Sequence, residues 1–590
     1  MTEPLIQISA LGLRYDDTPS PTLRDVNLKI NPGELVLLCG PTGCGKTSLA
    51  LCSNGLVPFA TSGTLSGDLR VCGLDPRQTP TPHMAKEVGL VFQDPEGQLC
   101  TLFLEDEIAF GAENLKTPRA ELAERVTKML DLVGLQSHRK ESVFELSGGQ
   151  KQKVNIVSVL AMQPRLLVFD MPTANLDPIG SEEVFSVIRE LVSDHALTSI
   201  IIENRLDDLV PLADRVIVMS ADGTIALDGT PAEVFAHARF MTGELGVEIP
   251  QVIEIAERLR EHGLDVGAGP SLPLTVEALV GRLATLFDGG QLEASRQPSN
   301  PERPSTRSSE PIVKLKDVHF GYRRKTEVLK GISFEMPRGE LLAIVGNNGS
   351  GKTTLVKNLV GLLRPTAGKV TVCGLDVNRS QVAEIAAKAA YVFQYPEHQF
   401  VAQGQTVADE IAFNLRTAGC DEAEVERRVA VLVERFQLAG KEKASPFVLS
   451  GGEMRTLSVA CMLSTQPELL ILDEPTYGQD RRRIQALMDR LAELRADGAS
   501  VIMITHDMRL VAEYATSVLL LSHGRNLFYG RPADLFQRTD LLLEAALKEP
   551  PVCAVARGLR ERGIRLRAGI VTVPDLFKAW VERPGPCSSI

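Results

Sequence analysis

The stretch Leu469-Leu470-Ile471-Leu472-Asp473-Glu474 decides how this 590-residue chain is read. Four apolar residues in a row predict a strand buried on both faces, as in a parallel sheet. Two carboxylates stand at its end, and Pro475 stops it. Ligands of open α/β sheets bind at the carboxyl ends of strands. There an aspartate can hold Mg²⁺, directly or through water, and a glutamate can polarise an attacking water. The bland alternative is that Asp-Glu merely opens a helix, where acids are favoured.

Working outward, the same kind of stretch occurs twice. LLVFD ends at Asp170 and LLILD at Asp473. GPTGCGKT spans Gly40–Thr47 and GNNGSGKT spans Gly346–Thr353, so 306 residues separate Lys46 from Lys352. VFQ ends at Gln93 and at Gln394, and LSGG begins at Leu146 and at Leu449. This many matches in one order mean duplication. The ends repeat too: Pro250–Gly263 aligns with the segment ending at Gly563, matching Ala256, Leu259, Arg260 and Glu261 to Ala556, Leu559, Arg560 and Glu561. Two roles for these tails stay open, bracing each domain or packing on one another. Between the halves, Gly289–Pro311 is rich in Ser, Pro, Arg and Glu and predicts a flexible linker, spanning on the order of 25 Å. The expected organisation is a first domain over 1–245 with a C-terminal extension over 246–288, the linker over 289–311, a second domain over 312–545 and its extension over 546–590.

Within one half, short strands are expected at 6–8, 28–30 and 35–39. A helix over 46–54, a helical middle over 104–132 and alternating strands and helices over 166–219 follow. That alternation predicts an α/β fold with a mainly parallel sheet.

Composition narrows the function classes. A chain this long needs more than one core. Its net charge of −12 and pI near 5.5 argue against a sequence-independent nucleic-acid binder. Ten cysteines without a CxxC pair suggest neither a zinc site nor a disulfide framework and fit a reducing compartment. Met1-Thr2-Glu3-Pro4 opens without the basic and apolar regions of a signal peptide. No apolar run approaches the roughly 18 residues of a membrane helix.

GxxxxGKT is a phosphate-binding loop when a strand precedes it and a helix follows, as both copies predict. Gly40, Gly43 and Gly45, like Gly346, Gly349 and Gly351, let backbone N–H groups turn inward at a helix N-terminus. Lys46 and Lys352 neutralise phosphate charge, and Thr47 and Thr353 can ligate Mg²⁺. Ser48, Asn347 and Thr354 complete the expected nucleotide contacts. LSGGQ, ending at Gln150, and LSGGE, ending at Glu453, each precede a helical stretch; a serine and two glycines there are also an ordinary helix cap.

Together these motifs resemble the ATP-binding-cassette ATPases over essentially both halves, implying tandem P-loop domains, ATP and Mg²⁺. In that family two domains sandwich two ATPs, each on the phosphate loop of one domain and under the LSGGQ of the other. The resemblance implies that Ser147, Gly148, Gly149 and Gln150 face the ATP on Lys352. Ser450, Gly451, Gly452 and Glu453 would face the ATP on Lys46. It also implies Mg²⁺ contacts from Asp170, Asp473, Gln93 and Gln394, adenine stacking by Tyr15 and Tyr322, a catalytic base at Glu474 and a γ-phosphate switch at His506. For the tyrosines, buried strand-edge packing is the alternative.

A narrower resemblance follows each glutamine. Gln93-Asp94-Pro95-Glu96-Gly97-Gln98 and Gln394-Tyr395-Pro396-Glu397-His398-Gln399 lead into EDEIAFG (Glu105–Gly111) and ADEIAFN (Ala408–Asn414). This pattern is similar to the ATPases of energy-coupling-factor importers. It implies a motor for uptake of a vitamin or related micronutrient, peripheral on the cytoplasmic membrane face. Its partners would be a membrane scaffold (T-type) protein and a small substrate-binding (S-type) membrane protein. The competing reading is a tandem ATPase acting on ribosomes or DNA, against which stand the short linker and the acidic balance.

The copies differ where chemistry is expected. Met171 follows Asp170 where Glu474 follows Asp473, and Asn204 aligns with His506. Tyr477-Gly478-Gln479-Asp480 stands where the first half has Asn175-Leu176-Asp177, and Met454-Arg455 follow LSGGE where a basic residue normally comes first. Sorted by composite site, all the losses fall on the one holding Lys46. One hydrolytic site and one slow, mainly ATP-holding site are therefore expected, since a general base is worth about 10²–10⁴ in rate.

Overall fold

A computed structural model describes residues 3–16, 18, 20–174, 176–195, 197–267, 269–294, 310–322, 327–401, 406–476 and 479–582. It divides into two compact units, Met1–Arg282 and Leu283–Ile590. Asn175, Tyr477, Gly478 and most of the expected linker lie outside the described residues.

In the first unit β1 (Ile6–Tyr15), β2 (Leu23–Ile30), β3 (Leu35–Cys39), β4 (Gly63–Val71), β5 (Val88–Val91), β6 (Leu166–Asp170), β7 (Thr198–Ile202), β8 (Arg215–Met219) and β9 (Ile225–Gly229) form two sheets. The six-stranded one has the order β5-β6-β7-β3-β8-β9, parallel except for the antiparallel edge β9. The other, β2-β1-β4, is antiparallel. Strands β3, β5, β6 and β7 are buried at every residue, as continuous apolar runs require. The outer strands alternate instead: along β2 Leu23, Val26, Leu28 and Ile30 are buried.

Strand β1 runs much further than the three residues its alternation suggests. A bulge between Ser9 and Gly12 shifts the pairing with β4, and Ala10 takes a φ of 49°. An extra residue breaks the period-2 pattern there without ending the strand. The expected helical middle is two helices, Leu104–Asn114 and Arg119–Leu132. They are parted where Lys116 has a φ of 63° and Pro118 caps the second.

β10 (Leu292–Ala294) belongs to the second unit and corrects the linker assignment. It pairs antiparallel with the last strand among the described residues, Leu292 opposite Glu582 and Ala294 opposite Trp580. Phe287 meets the Trp580 ring edge-on at 6.1 Å. The second unit otherwise repeats the first. β11 (Val313–Phe320), β12 (Leu329–Met336), β14 (Ala367–Val372) and β15 (Leu375–Asp376) make the sheet β12-β11-β14-β15. β13 (Leu341–Val345), β16 (Ala389–Val392), β17 (Leu469–Asp473), β18 (Ser500–Ile504), β19 (Ser517–Ser522) and β20 (Arg525–Gly530) make the sheet β16-β17-β18-β13-β19-β20. β21 (Trp580–Glu582) is the strand that pairs with β10. The opening stretch is thus β17, paired on both sides with parallel strands and fully buried. Its last residue, Asp473, reaches the end of the sheet where β13 runs into its glycine loop.

Candidate functional site

Each glycine loop connects a central strand to a helix, Lys46–Ser53 in the first unit and Lys352–Leu359 in the second. Gly45 and Gly351 cap these helices in the left-handed region, at φ 102° in both. Gly346 is as constrained, with a φ of 148° and a position where an added Cβ would lie 2.1 Å from the Leu521 carbonyl. The lysines reach back across their own loops. Lys46 Nζ donates to the carbonyls of Gly40 (2.7 Å) and Pro41 (2.9 Å), and Lys352 Nζ to those of Gly346 (2.8 Å) and Asn347 (2.9 Å).

Both predicted adenine-side tyrosines sit above these helices. Tyr15 Oη donates to Ser48 Oγ at 3.0 Å, and Tyr322 Oη lies 3.2 Å from Thr354 Oγ1. Tyr322 is 60% exposed, which excludes the buried-edge alternative for it. Gln93 and Gln394, at the ends of β5 and β16 plus two residues, are half-buried.

In the second unit, Thr353 Oγ1 donates to Asp473 Oδ2 at 3.1 Å. Burial raises the Asp473 carboxyl above its usual range, against the lowering effect of its hydrogen bonds. Glu474 takes a φ of 46° and its Oε1 lies 2.9 Å from His506 Nδ1. Asp473, Glu474 and His506, drawn from the ends of β17 and β18, are therefore brought together as expected. A carboxylate held by an imidazole beside a phosphate loop can orient and deprotonate water.

The first unit keeps the backbone and loses the groups. Met171 has the same left-handed φ, 50°, with a thioether in place of the carboxylate. Asp170 is held by Thr47 and raised by burial, and its Oδ1 has no hydrogen-bond partner. A buried acceptor left free beside a lysine cradle suits a divalent cation with phosphate. Before Asn204 lies a residue the sequence reading passed over, Glu203. It is 2% exposed and accepts from Thr173 N (3.1 Å), Thr173 Oγ1 (2.6 Å) and Asn204 N (3.1 Å). Burial raises its carboxyl. Its partners are all on the loop after β6 and at its own peptide, so it braces that loop.

The signature serines cap helices, Gly148–Leu160 and Gly451–Leu463, as full capping boxes with Gln150 and Glu453. Both readings of LSGG are compatible, because a serine oxygen that accepts from the helix keeps its own proton to donate. The second signature carries an added feature. Arg483, after the altered Gln479-Asp480 loop, lays its guanidinium over Gly452, where a Cβ would meet Nη1 at 1.6 Å. Gly180 holds the corresponding place in the first unit, 3.4 Å from a Cβ on Gly149.

The loops after Gln93 and Gln394 close on themselves. Gln98 Oε1 accepts from Phe92 N (2.9 Å), and Gln399 Oε1 from Phe393 N (3.3 Å). Glu107 accepts from Cys100 N and Thr101 N, and Glu410 from Val401 N. The PE-x-Q and DEIAF residues are thus the fastenings of one loop, and beside them large apolar side chains stand in solvent at matching positions. Phe110 and Phe413 are 44% and 37% exposed, Phe144 and Phe447 61% and 46%.

The family model described as ABC transporter matches residues 23–174 and 329–477. The chain belongs to the ABC transporter ATP-binding family. Members of this family hydrolyse ATP coupled to transport, and their domains bind ATP with Mg²⁺. A "Putative ABC transporter ATP-binding protein" of Caldanaerobacter subterraneus is 40% identical over 560 residues, 94% of this ABC ATPase and 96% of that protein. The "Putative HMP/thiamine import ATP-binding protein YkoD" of Bacillus subtilis is 37% identical over 552 residues, covering 92% and 95%. A solved structure of cbiO1 from Clostridium perfringens, described as part of the ABC transporter complex cbiONQ, is 28% identical and covers 42% of this chain and 99% of its own, with a TM-score of 0.37. Among the described residues no helix is long and apolar enough to cross a membrane.

Proposed function

We propose that this ABC ATPase is the motor of an energy-coupling-factor importer for a vitamin or related micronutrient. It would act at the cytoplasmic face of the membrane with a T-type scaffold protein and an S-type substrate-binding protein. The observation that carries this is the doubled, internally fastened loop after Gln93 and Gln394, with exposed Phe110, Phe144, Phe413 and Phe447 beside it. Apolar patches of this kind mark docking surfaces. The 37% identity over nearly the full length to a relative named for HMP/thiamine import supports the substrate class. Domain bounds of 1–245 and 312–545, with extensions over 246–288 and 546–590, are proposed on the same footing.

The proposed chemistry is divided unequally. ATP on the second phosphate loop is held by Lys352 and faces Glu474, which takes a proton from the attacking water while His506 fixes its carboxylate and contacts the γ-phosphate. Mg²⁺, when bound, supplies charge to the β- and γ-phosphates. Asp473, Thr353 and Gln394 are its proposed holders there; Asp170, Thr47 and Gln93 are their counterparts. Pairing of the two units within the chain would bring Ser147-Gly148-Gly149 to this ATP and Ser450-Gly451-Gly452 to the one on Lys46. With Met171 and Asn204, the latter ATP turns over slowly and mainly holds the units together.

The test is purification from detergent-extracted membranes of cells carrying the tagged chain. Recovery of two small hydrophobic proteins, and loss of micronutrient uptake when the gene is deleted, are expected. Recovery with ribosomes or DNA instead, or uptake that survives deletion, would refute the proposal.

A further inference from the structure

Two polar side chains stand behind β17 in the second unit, and both are replaced in the first. Tyr391, in the middle of β16, is buried and donates its phenol proton to Asp473 Oδ2 at 2.8 Å. Burial and the facing carboxylate push its hydroxyl well above the usual range, so it remains a donor. In the register of the parallel pair, Tyr391 lies opposite Ile471, and in the first unit Leu90 lies opposite Val168. The first unit thus has no phenol there.

The second residue is Arg455, five positions after Ser450 on the signature helix and 3% exposed. Its guanidinium is fixed by backbone carbonyls alone among its hydrogen bonds. Nη1 donates to Phe393 O, and Nη2 to Gln394 O (2.9 Å), Glu474 O (2.7 Å) and, at 3.4 Å, Asp473 O. One side chain therefore ties the glutamine loop to both carboxylate-bearing residues. Desolvation lowers it to about 10, which leaves it cationic at neutral pH beside Asp473 and Glu474. In the first unit the cation has moved one place along the helix. Lys151, itself buried, pairs with the exposed Glu96 of the loop after Gln93, and the neutral Gln152 donates to Phe92 O at 3.4 Å with its own Oε1 unpartnered. A step of one residue turns a helical side chain by about 100°, so the charge that faces the loop in one unit faces the carboxylates in the other. The Met454-Arg455 departure, counted by sequence as a loss to the shared site on Lys46, is on this geometry a gain for Asp473 and Glu474.

We infer that Tyr391 and Arg455 are positioning residues of the site on Lys352: Tyr391 orients Asp473 toward Mg²⁺, and Arg455 locks Glu474 to the glutamine loop that answers to the docked partner. The inference rests on the reading of Asp473 and Glu474 as metal holder and base. Misplacing a reacting group by about 1 Å costs on the order of 100-fold in rate, which is what such a lock prevents.

The test uses the full chain with Asp170→Asn, which leaves one metal site to titrate. Mn²⁺ binding is followed by electron paramagnetic resonance with a non-hydrolysable ATP analogue, and ATPase by kcat and KM. Tyr391→Phe preserves the ring and should weaken Mn²⁺ binding at least about tenfold, the loss of one hydrogen bond to a charged group. Arg455→Gln, which copies the first unit, should lower kcat at least about tenfold while KM for ATP moves less than about twofold, and Arg455→Lys should recover part of kcat. Unchanged Mn²⁺ affinity in Tyr391→Phe, or unchanged kcat in Arg455→Gln, overturns the inference. Asp473→Asn separates the two levels. If it too leaves Mn²⁺ affinity unchanged, the reading of Asp473 fails; if it abolishes binding while Tyr391→Phe does not weaken it, only the positioning role fails.

Discussion

Replacing Glu474 by Gln removes a base and little else. The amide oxygen can still accept from His506 Nδ1, which now sits 2.9 Å from Oε1, and the side-chain volume is unchanged. The left-handed backbone at 474 does not depend on the carboxylate, because Met171 adopts it too. Folding and ATP binding should therefore survive. The neighbouring carboxylate cannot substitute, since Asp473 Oδ2 is already engaged by Thr353 and Tyr391. The first unit offers a thioether at the matching position. The full contribution of a general base, about 10²–10⁴ in rate, should then be lost, equivalent to about 3–5 kcal/mol in the barrier. The assay is steady-state phosphate release by the assembled transporter, with nucleotide binding measured in parallel. Turnover within threefold of the parent, with binding intact, would refute the assignment of Glu474.

Three further outcomes follow from the same geometry. Gly148→Asp should abolish most hydrolysis and uptake, while Gly451→Asp should be milder; neither position would clash within its own unit, since a Cβ meets Leu176 at 3.6 Å in one case and nothing within 4 Å in the other. Steady-state ATPase of both variants decides, and a larger loss from Gly451→Asp would overturn the pairing of signatures with sites. Met171→Glu should restore little activity to a Glu474→Gln chain, because Asn204, Leu90 and Gln152 remain; recovery to within tenfold of the parent would contradict this. Phe144→Asp with Phe447→Asp should leave ATP binding intact and release the chain from membranes in a flotation assay, and undiminished flotation would count against the docking surface.

Much of the fold was legible because it depends on patterns a sequence displays directly. Continuous apolar runs gave β3, β6, β7 and β17, and the glycine spacing gave the two loops and the helices behind them. Strand β1 was cut short because a bulge at Ser9–Gly12 shifts alternation without ending the pairing. β10 was hidden within a polar segment, since three residues carry too little pattern to stand out from a linker, and its partner lies some 290 residues away in the sequence. The proposed catalytic trio was legible from duplication, which exposed Met171 and Asn204 as departures. Tyr391 and Arg455 were not, because a tyrosine in an apolar strand and an arginine on a helix are ordinary until their targets are placed. Comparing the copies position by position, Tyr391 with Leu90 and Arg455 with Gln152, was the signal that could have found them. Glu203 was hidden for the converse reason: its buried carboxylate is satisfied entirely by groups 30 residues earlier and by its neighbour's peptide.

The central claim is that one of the two nucleotide sites carries the chemistry. Rapid-quench single turnover tests it most directly. The full chain, loaded with labelled ATP at both sites and mixed with Mg²⁺ and the membrane partners, is quenched over time. One ATP per chain should be cleaved in a fast phase and the second retained at least about 100-fold longer. Two equivalents cleaved at a single rate would contradict it.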